Sequence, residues 1–254
     1  MSVDRAKLHK VYRYLLDWIF PNICPCCEKI IEYDKDFCDE CADSLTLYTG
    51  KTEIPFVDGF TAYCVYDDNI SPTILKFKKT DRGNSYFAFA NRIMLAMKQS
   101  DFKEIFDYIV PIPMSKTSLE NRGYNQSELM AKELRYMINI PYANVLMKTR
   151  ETAAQKSLDR KGRADNLKGV FAVDPKFGSV SGKNFLLIDD VCTTGSTFTE
   201  AAKTLKENGA KNVYAVSFAK TPDKRKDESE NDIPDSDDSE TGKKRVLRKI
   251  MGDL

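Results

Sequence analysis

The 254-residue sequence predicts an α/β protein, a parallel sheet flanked by helices, with a small cysteine-bound module in front of it. Three observations predict this. From about residue 56 onward, short apolar runs alternate with helix-patterned stretches, the pattern of parallel strands joined by right-handed crossovers. One of those runs, Phe185-Leu186-Leu187-Ile188, is apolar at every position and reads as a buried strand. Ahead of the alternation, cysteines cluster between residues 24 and 41.

The elements follow in chain order. Residues 4 to 20 place Leu8, Val11, Tyr12, Leu15, Leu16 and Ile19 at helical spacing, which predicts a short amphipathic helix ended by Pro21. Its apolar stripe is expected to pack on the rest of the protein; the alternative is docking of a membrane or partner through Trp18 and Phe20. Arg13 and Asp17 interrupt the run where a secretory signal needs continuity, and no run reaches the roughly 18 apolar residues of a bilayer span. No membrane span and a cytoplasmic location are therefore expected.

Cys24-Pro25-Cys26-Cys27 and Cys38-Asp39-Glu40-Cys41 give two C-x2-C knuckles when Cys24 and Cys27 are taken as the first pair. Two such knuckles offer four thiolates to one tetrahedral ion, and in a reducing compartment zinc is favoured over disulfides. The expected ligands are Cys24, Cys27, Cys38 and Cys41, with Cys26 a spare thiol able to replace Cys24 or Cys27. Residues 1–50 carry 6 basic and 9 acidic residues, so this zinc reads as structural and not as a nucleic-acid clamp.

In the α/β region, Phe60–Tyr66 and Asp107–Pro113 are expected strands, and Ile70–Lys79, Tyr86–Gln99 and Ser127–Ile138 expected helices. Phe185–Asp190 is the buried strand, Ser196–Asn208 a helix stopped by Gly209, and Val213–Ala219 the last strand. After Pro222 the composition turns to Asp, Glu, Ser and Lys, too polar to form a core. The expected organisation is a helix and ribbon over 1–50, an α/β domain over 51–220 and a charged tail over 221–254. Net charge is +1, from 39 Lys and Arg against 38 Asp and Glu, which excludes a simple polyanion-binding signature, although residues 51–220 carry +6. The single histidine, His9, disfavours a Ser/His/Asp mechanism or a His-rich metal site.

The most specific stretch is Asp189-Asp190-Val191-Cys192-Thr193-Thr194-Gly195-Ser196-Thr197, at the carboxyl end of the buried strand. Backbone N–H groups of such a bend and of the helix it opens are aimed at an anion, Gly195 allows close approach, and four hydroxyls add donors. Two carboxylates a few residues away can accept hydrogen bonds from sugar hydroxyls. A sugar phosphate suits both.

This stretch resembles the phosphoribosyl-pyrophosphate (PRPP) binding motif of type I phosphoribosyltransferases. Leu75-Lys76-Phe77-Lys78-Lys79, Val110-Pro111-Ile112-Pro113, Arg122-Gly123-Tyr124-Asn125-Gln126, and Arg150 through Gln155, Leu158, Arg163 and Asn166 follow one another as in the ComF family. These are the ComFC-like, phosphoribosyltransferase-related proteins of bacterial competence, and the resemblance runs over about residues 5 to 220. It implies a type I phosphoribosyltransferase-like sheet and PRPP held through Val191, Cys192, Thr193, Thr194, Gly195, Ser196 and Thr197, with Asp189 and Asp190 on the ribose. Pro113, Met114 and Ser115 take the place of the pyrophosphate loop. Arg122, Gly123, Tyr124, Asn125, Gln126 and Gln155 look like a family pocket; for the 122–126 stretch the alternative is helix capping by Asn125 with Arg122 a solvated charge.

Lys148 to Lys168, with seven basic and three acidic residues, resembles the mobile loop that closes over pyrophosphate. Arg150 and Arg163 would then join Asp189 and Asp190 as the catalytic set, with Mg2+ carried by PRPP. Lys76 to Lys79 reads as helix surface, with contact to the ligand as the alternative. The resemblance implies phosphoribosyl transfer to an unidentified acceptor. The alternative is a non-catalytic, PRPP-responsive module that binds single-stranded DNA or competence and recombination proteins, drawing on the basic excess and on stacking by Tyr124.

Overall fold

The computed structural model describes residues 11–15, 17–79, 85–102, 105–150 and 167–222. Along the chain lie helix α1 (Asp39–Asp43), strand β1 (Gly59–Val65), helices α2 (Ser71–Lys79) and α3 (Ser85–Gln99), and strand β2 (Tyr108–Pro111). Helices α4 (Lys116–Arg122) and α5 (Gln126–Ile138), strands β3 (Leu146–Lys148), β4 (Phe171–Val173) and β5 (Asn184–Cys192), helix α6 (Ser196–Glu207) and strand β6 (Asn212–Lys220) follow.

Four strands form one parallel sheet in the order β1-β6-β5-β2. β5 is interior, which explains its unbroken apolar run. Leu186 and Ile188 meet Val216, Phe218, Phe89, Ile93, Met130 and Leu134 in one core. Phe185 and Leu187 meet Val213, Ala215, Phe198, Ala201 and Leu205 in the other. A sheet covered on both faces needs apolar side chains at both parities. Phe89 of α3 stacks on Phe218 of β6 with ring centroids 3.9 Å apart. Register places Asp189 beside Ser217 and Cys192 beside Lys220, so β5 continues two residues past the expected end at Asp190.

Two features of the α/β region were not expected from the sequence. Helix α4 has no buried residue and so no apolar stripe to announce it. The antiparallel pair β3–β4 has three residues per strand, too short for a period to register, and it frames residues 151–166.

The ribbon is locked to this sheet by packing and charge. Phe37, 2% exposed, stacks on Phe218 at 6.4 Å. Asp36 pairs with the Arg92 guanidinium of α3 at 3.1 Å, and the Asn91 amide donates to both its oxygens at 2.7 Å. Residues 46–48 run along the β1 edge, with Val65 N–H donating to the Thr46 carbonyl and Tyr48 N–H to the Tyr63 carbonyl, which covers a row of otherwise unpaired edge groups. The expected N-terminal helix is seen over residues 11–15; Leu8 and Leu16 of its stripe lie outside the described residues. Arg13 lies over the Phe87 ring, but Trp18 at 78%, Ile19 at 70% and Phe20 at 71% remain exposed. Helical spacing fixes which side chains share a face, not whether anything covers that face.

Candidate functional site

Two sites carry chemistry, and the ribbon comes first. Sγ atoms of Cys24, Cys27, Cys38 and Cys41 lie within 4.8 Å of one another, and those of Cys27 and Cys38 are 3.6 Å apart. Thiolates about 2.3 Å from a tetrahedral Zn2+ stand roughly 3.8 Å apart, so the quartet fits a structural zinc. The local fold explains the geometry. A turn between Cys24 and Lys29, with Glu28 at φ 62, closes the first knuckle, and α1, opening at Cys38, carries Cys41. Burial opposes ionisation of Cys24, but N–H donors from Cys27, Cys38 and Cys26 outweigh it and bring the thiol down to about 7. Burial and the neighbouring sulfurs push Cys41 up. Crowded thiolates of this kind need a cation. Cys26 stands outside the quartet and its sulfur accepts a hydrogen bond from the Thr73 hydroxyl at 3.2 Å.

The second site is at the carboxyl ends of the strands, where open α/β sheets place ligands. β5 delivers Asp189 and Asp190. Asp189 Oδ1 accepts from the Ser127 hydroxyl of α5 at 2.8 Å and from the Asp190 N–H at 2.9 Å. Asp190 Oδ2 is 2.8 Å from the Lys78 ammonium of α2, with the aspartate side chain 8% exposed. Burial, and after it the Asp190 charge, push Asp189 up to about 7 against the pull of the Ser127 hydroxyl and Lys78. Burial works against the Lys78 ammonium, and Asp190 more than restores it, so its pKa rises.

Beyond Val191 and Cys192, the last residues of β5, the chain bends through Thr193 and Thr194 into α6. Gly195, at φ 78, opens that helix and supplies no side-chain cap. A β-carbon there would take a conformation that L residues disfavour and lie 3.2 Å from Ile54. The hydroxyls of Thr194 and Ser196 are 2.8 Å apart, Thr193 is exposed and Thr197 half-buried. Ser196 N–H reaches the Thr194 hydroxyl at 3.4 Å, and the bend gathers hydroxyls at a helix N-terminus that opens on a glycine, where the positive end of the dipole favours an anion.

The flanking segments converge here too. Pro113 and Met114 connect β2 to α4, while Ser115, 6% exposed, caps α4 by accepting from the Ser118 N–H. At the far end of α4, Arg122 pairs with Gln126 Oε1 and points one N–H at the Met114 sulfur. Gly123 caps that helix at φ 83. Asn125 caps α5 and also donates to the Ile112 carbonyl at 2.9 Å. The capping reading of Asn125 therefore holds, but Arg122 is not a solvated charge. Tyr124 donates its hydroxyl to the Phe77 carbonyl at 2.6 Å, tying the 122–126 stretch to α2.

Arg150 donates to the Lys168 carbonyl at 2.9 Å across the β3–β4 pair, and Gly169 N–H meets Glu200 of α6, so this pair is moored beside the bend. Gln155 and Arg163, with Leu158 and Asn166, fall outside the described residues. Ser127 was missed by sequence reasoning, and Lys78 belongs to the cluster for which ligand contact was the alternative. Lys76 of the same cluster does lie at the surface against Glu28; the signal for Lys78 was its place one position after buried Phe77 and four after buried Ile74.

Comparison with known proteins matches both parts of the chain. The profile of the phosphoribosyl transferase domain matches residues 118–240 and that of the double zinc ribbon domain residues 15–52. Competence protein F of Haemophilus influenzae is 27% identical over 208 residues, 78% of this chain and 90% of that protein. DNA utilization protein YhgH of Escherichia coli K12 is 28% identical over 209 residues, 79% and 91% of the two chains. Competence protein ComFC of Bacillus subtilis is 33% identical over 152 residues, 57% of this chain and 56% of that one. Among the described residues no helix is long and apolar enough to cross a membrane. With a type I phosphoribosyltransferase-like sheet behind an N-terminal zinc ribbon, and relatives named for competence and DNA utilization, the chain belongs to the ComF family.

Proposed function

We propose that this protein binds PRPP at the carboxyl end of β5, with the 5-phosphate in the bend from Thr193 to Thr197 and the ribose hydroxyls on Asp189 and Asp190. The observation that carries this reading is the juxtaposition of a glycine-opened, hydroxyl-lined helix N-terminus with an acid pair on the same strand end. An anion satisfies the first and a diol the second. PRPP offers both on one pentose.

Leaving-group chemistry follows from the same placement. Departure of pyrophosphate from C1 leaves positive charge on the ribose ring, and carboxylates held beneath it favour that charge. Pro113 and Met114, at the end of β2, are placed for the pyrophosphate, with Arg122 at their back and Arg150 at the base of the 151–166 segment. Mg2+ would come with the ligand and neutralise charge on the pyrophosphate. Among the described residues, the one group of three or more metal-ligating side chains is the cysteine quartet, and Asp190 is already engaged by Lys78, so the pyrophosphate and ribose oxygens would hold that ion. Phosphoribosyl transfer is the capability this arrangement supports, in a competence or DNA-utilization setting that the relatives' names suggest. The single-strand-binding alternative loses one support: Tyr124, its stacking candidate, is half-buried and committed to Phe77.

The test is a thermal-unfolding titration with Mg-PRPP. At a hundredfold excess over Kd, binding stabilises by about 2.7 kcal/mol, a rise of roughly 5–10 °C for a protein of this size, and the rise should vanish in an Asp189→Asn, Asp190→Asn double variant. No rise in the wild type rejects the reading. Pyrophosphate release in the presence of a panel of bases then asks whether transfer occurs.

A further inference from the structure

We propose that Lys78 is a positioning residue of this site, whose ammonium, carried on a helix anchored to the zinc ribbon, holds Asp190 in place and keeps the Asp189–Asp190 pair charged for a ribose diol. The inference rests on the reading that the acid pair grips a ribose, and goes beyond it in naming what makes the pair competent.

Geometry carries the argument. The Lys78 ammonium is 2.8 Å from Asp190 Oδ2, and the two side chains are 31% and 8% exposed. This is not one of the solvated pairs that contribute almost nothing. The helix beneath it is fixed at several points. Thr73 donates to the Cys26 sulfur, Lys76 pairs with Glu28, Phe77 is 1% exposed and packs edge-on against Phe89 at 5.0 Å, and the Phe77 carbonyl accepts from Tyr124. From Thr73 to Lys78 is about 7.5 Å of helix rise, so ribbon contacts at one end set where the ammonium stands at the other. A long, flexible lysine becomes a placed charge because its backbone has little freedom.

Electrostatics says why the site needs it. Facing Asp189 are Asp190 on its own strand, Lys78 from α2 and the Ser127 hydroxyl from α5, with Arg122 of α4 the other charge that Lys78 feels. Asp189 stands beside the Asp190 charge where burial already disfavours an anion, so its carboxyl is hard to ionise. With Lys78 present, Asp189 sits at about 7. Lys78 pulls Asp189 down, so losing it pushes the carboxyl further up; a rise of about one unit, the low end for a nearby opposite charge, lowers its charged fraction at pH 7 about fivefold. A diol donates to carboxylates, so affinity follows that fraction.

The experiment measures Mg-PRPP affinity by calorimetry from pH 6.5 to 9.5 for wild type, Lys78→Gln and Lys78→Arg, each as a ratio to wild type so that the ligand's own protonation cancels. Lys78→Gln should bind at least about fivefold more weakly at pH 7 and return to within twofold at pH 9.5, while Lys78→Arg follows wild type. A deficit that is the same at every pH, or no deficit, overturns the inference and leaves PRPP binding intact. Wild type that fails to bind PRPP overturns the underlying reading instead. If Lys78→Gln does not fold, Lys78→Met carries the same comparison.

Discussion

Asp189→Asn should make the protein more stable above neutral pH while removing its ligand. Asparagine keeps an oxygen able to accept from Ser127 and from the Asp190 N–H and loses the charge. In the unfolded chain Asp189 titrates near its ordinary 3.8, and in the folded protein at about 7. Between those values the folded state holds a proton that the unfolded state has released, so stability falls as pH rises through that window and levels off above it. The rise from 3.8 to about 7 corresponds to about 4 kcal/mol. Asp189 is half-buried, and partial access of solvent makes that figure a ceiling; about 2 kcal/mol is the expectation.

Thermal unfolding of both proteins, ligand-free, at half-unit steps from pH 4 to 8.5 reads this directly. Plotted as variant minus wild type, all other titrations cancel. The difference should be near zero at pH 4, grow up to about pH 7 and then hold at roughly 4–8 °C. A difference flat across that range, or an asparagine variant that is the less stable protein at pH 8, refutes the claim that the strand end stores an uncompensated charge. The variant's gain and its lost ligand have one source, which is why binding residues are so often not the stablest choice.

Elemental analysis should find one zinc per chain in wild type and in Cys26→Ser, and none in Cys41→Ser. Because α2 joins the ribbon to Asp190, chelating the zinc should weaken Mg-PRPP binding, and PRPP should slow zinc loss to a chromogenic chelator by the reciprocal linkage. Gly195→Ala forces a β-carbon to φ 78 and to within 3.2 Å of Ile54; the expected cost is about 1–2 kcal/mol in urea unfolding, with PRPP affinity down severalfold. Asp36→Ala strands the Arg92 guanidinium, whose side chain is 17% exposed, and should cost about 3 kcal/mol, read as a lower urea midpoint with unchanged slope.

Much of this molecule was legible because its signals are local. The apolar run of β5 needs only its own residues to declare itself, and the acid pair, bend and helix start lie within nine consecutive positions. The paired knuckles are equally self-contained, apart from Cys26, whose sulfur takes its hydrogen bond from Thr73, 47 residues away. What the sequence withheld is what depends on distant partners. Lys78 reads as one of several lysines on a helix, and only the docking of α2 against β5 gives it an aspartate 112 residues on. Tyr124 reads as a loop aromatic until its hydroxyl is seen on Phe77. The stripe of the N-terminal helix is a clear local pattern too, yet its Val11, Leu15 and Ile19 stand exposed among the described residues.

Several costs fall together at the strand end. A buried polar group normally finds a partner, because leaving one unmatched costs about 1–3 kcal/mol. Yet Gln126, 3% exposed, spends its oxygen on Arg122 and leaves its Nε2 without an acceptor, and on the same rim α6 opens on a glycine that supplies no cap. Asp189 is held there against both burial and a like charge. Unmet donors and under-neutralised acceptors within one set of loops are complementary demands, the first for an anion and the second for hydroxyls. Each alone would be a tolerable flaw of packing. Packing optimised only for stability would have capped the helix or placed an asparagine at 189; keeping the mismatches together at one strand end is the arrangement expected where a phosphorylated sugar supplies the missing halves.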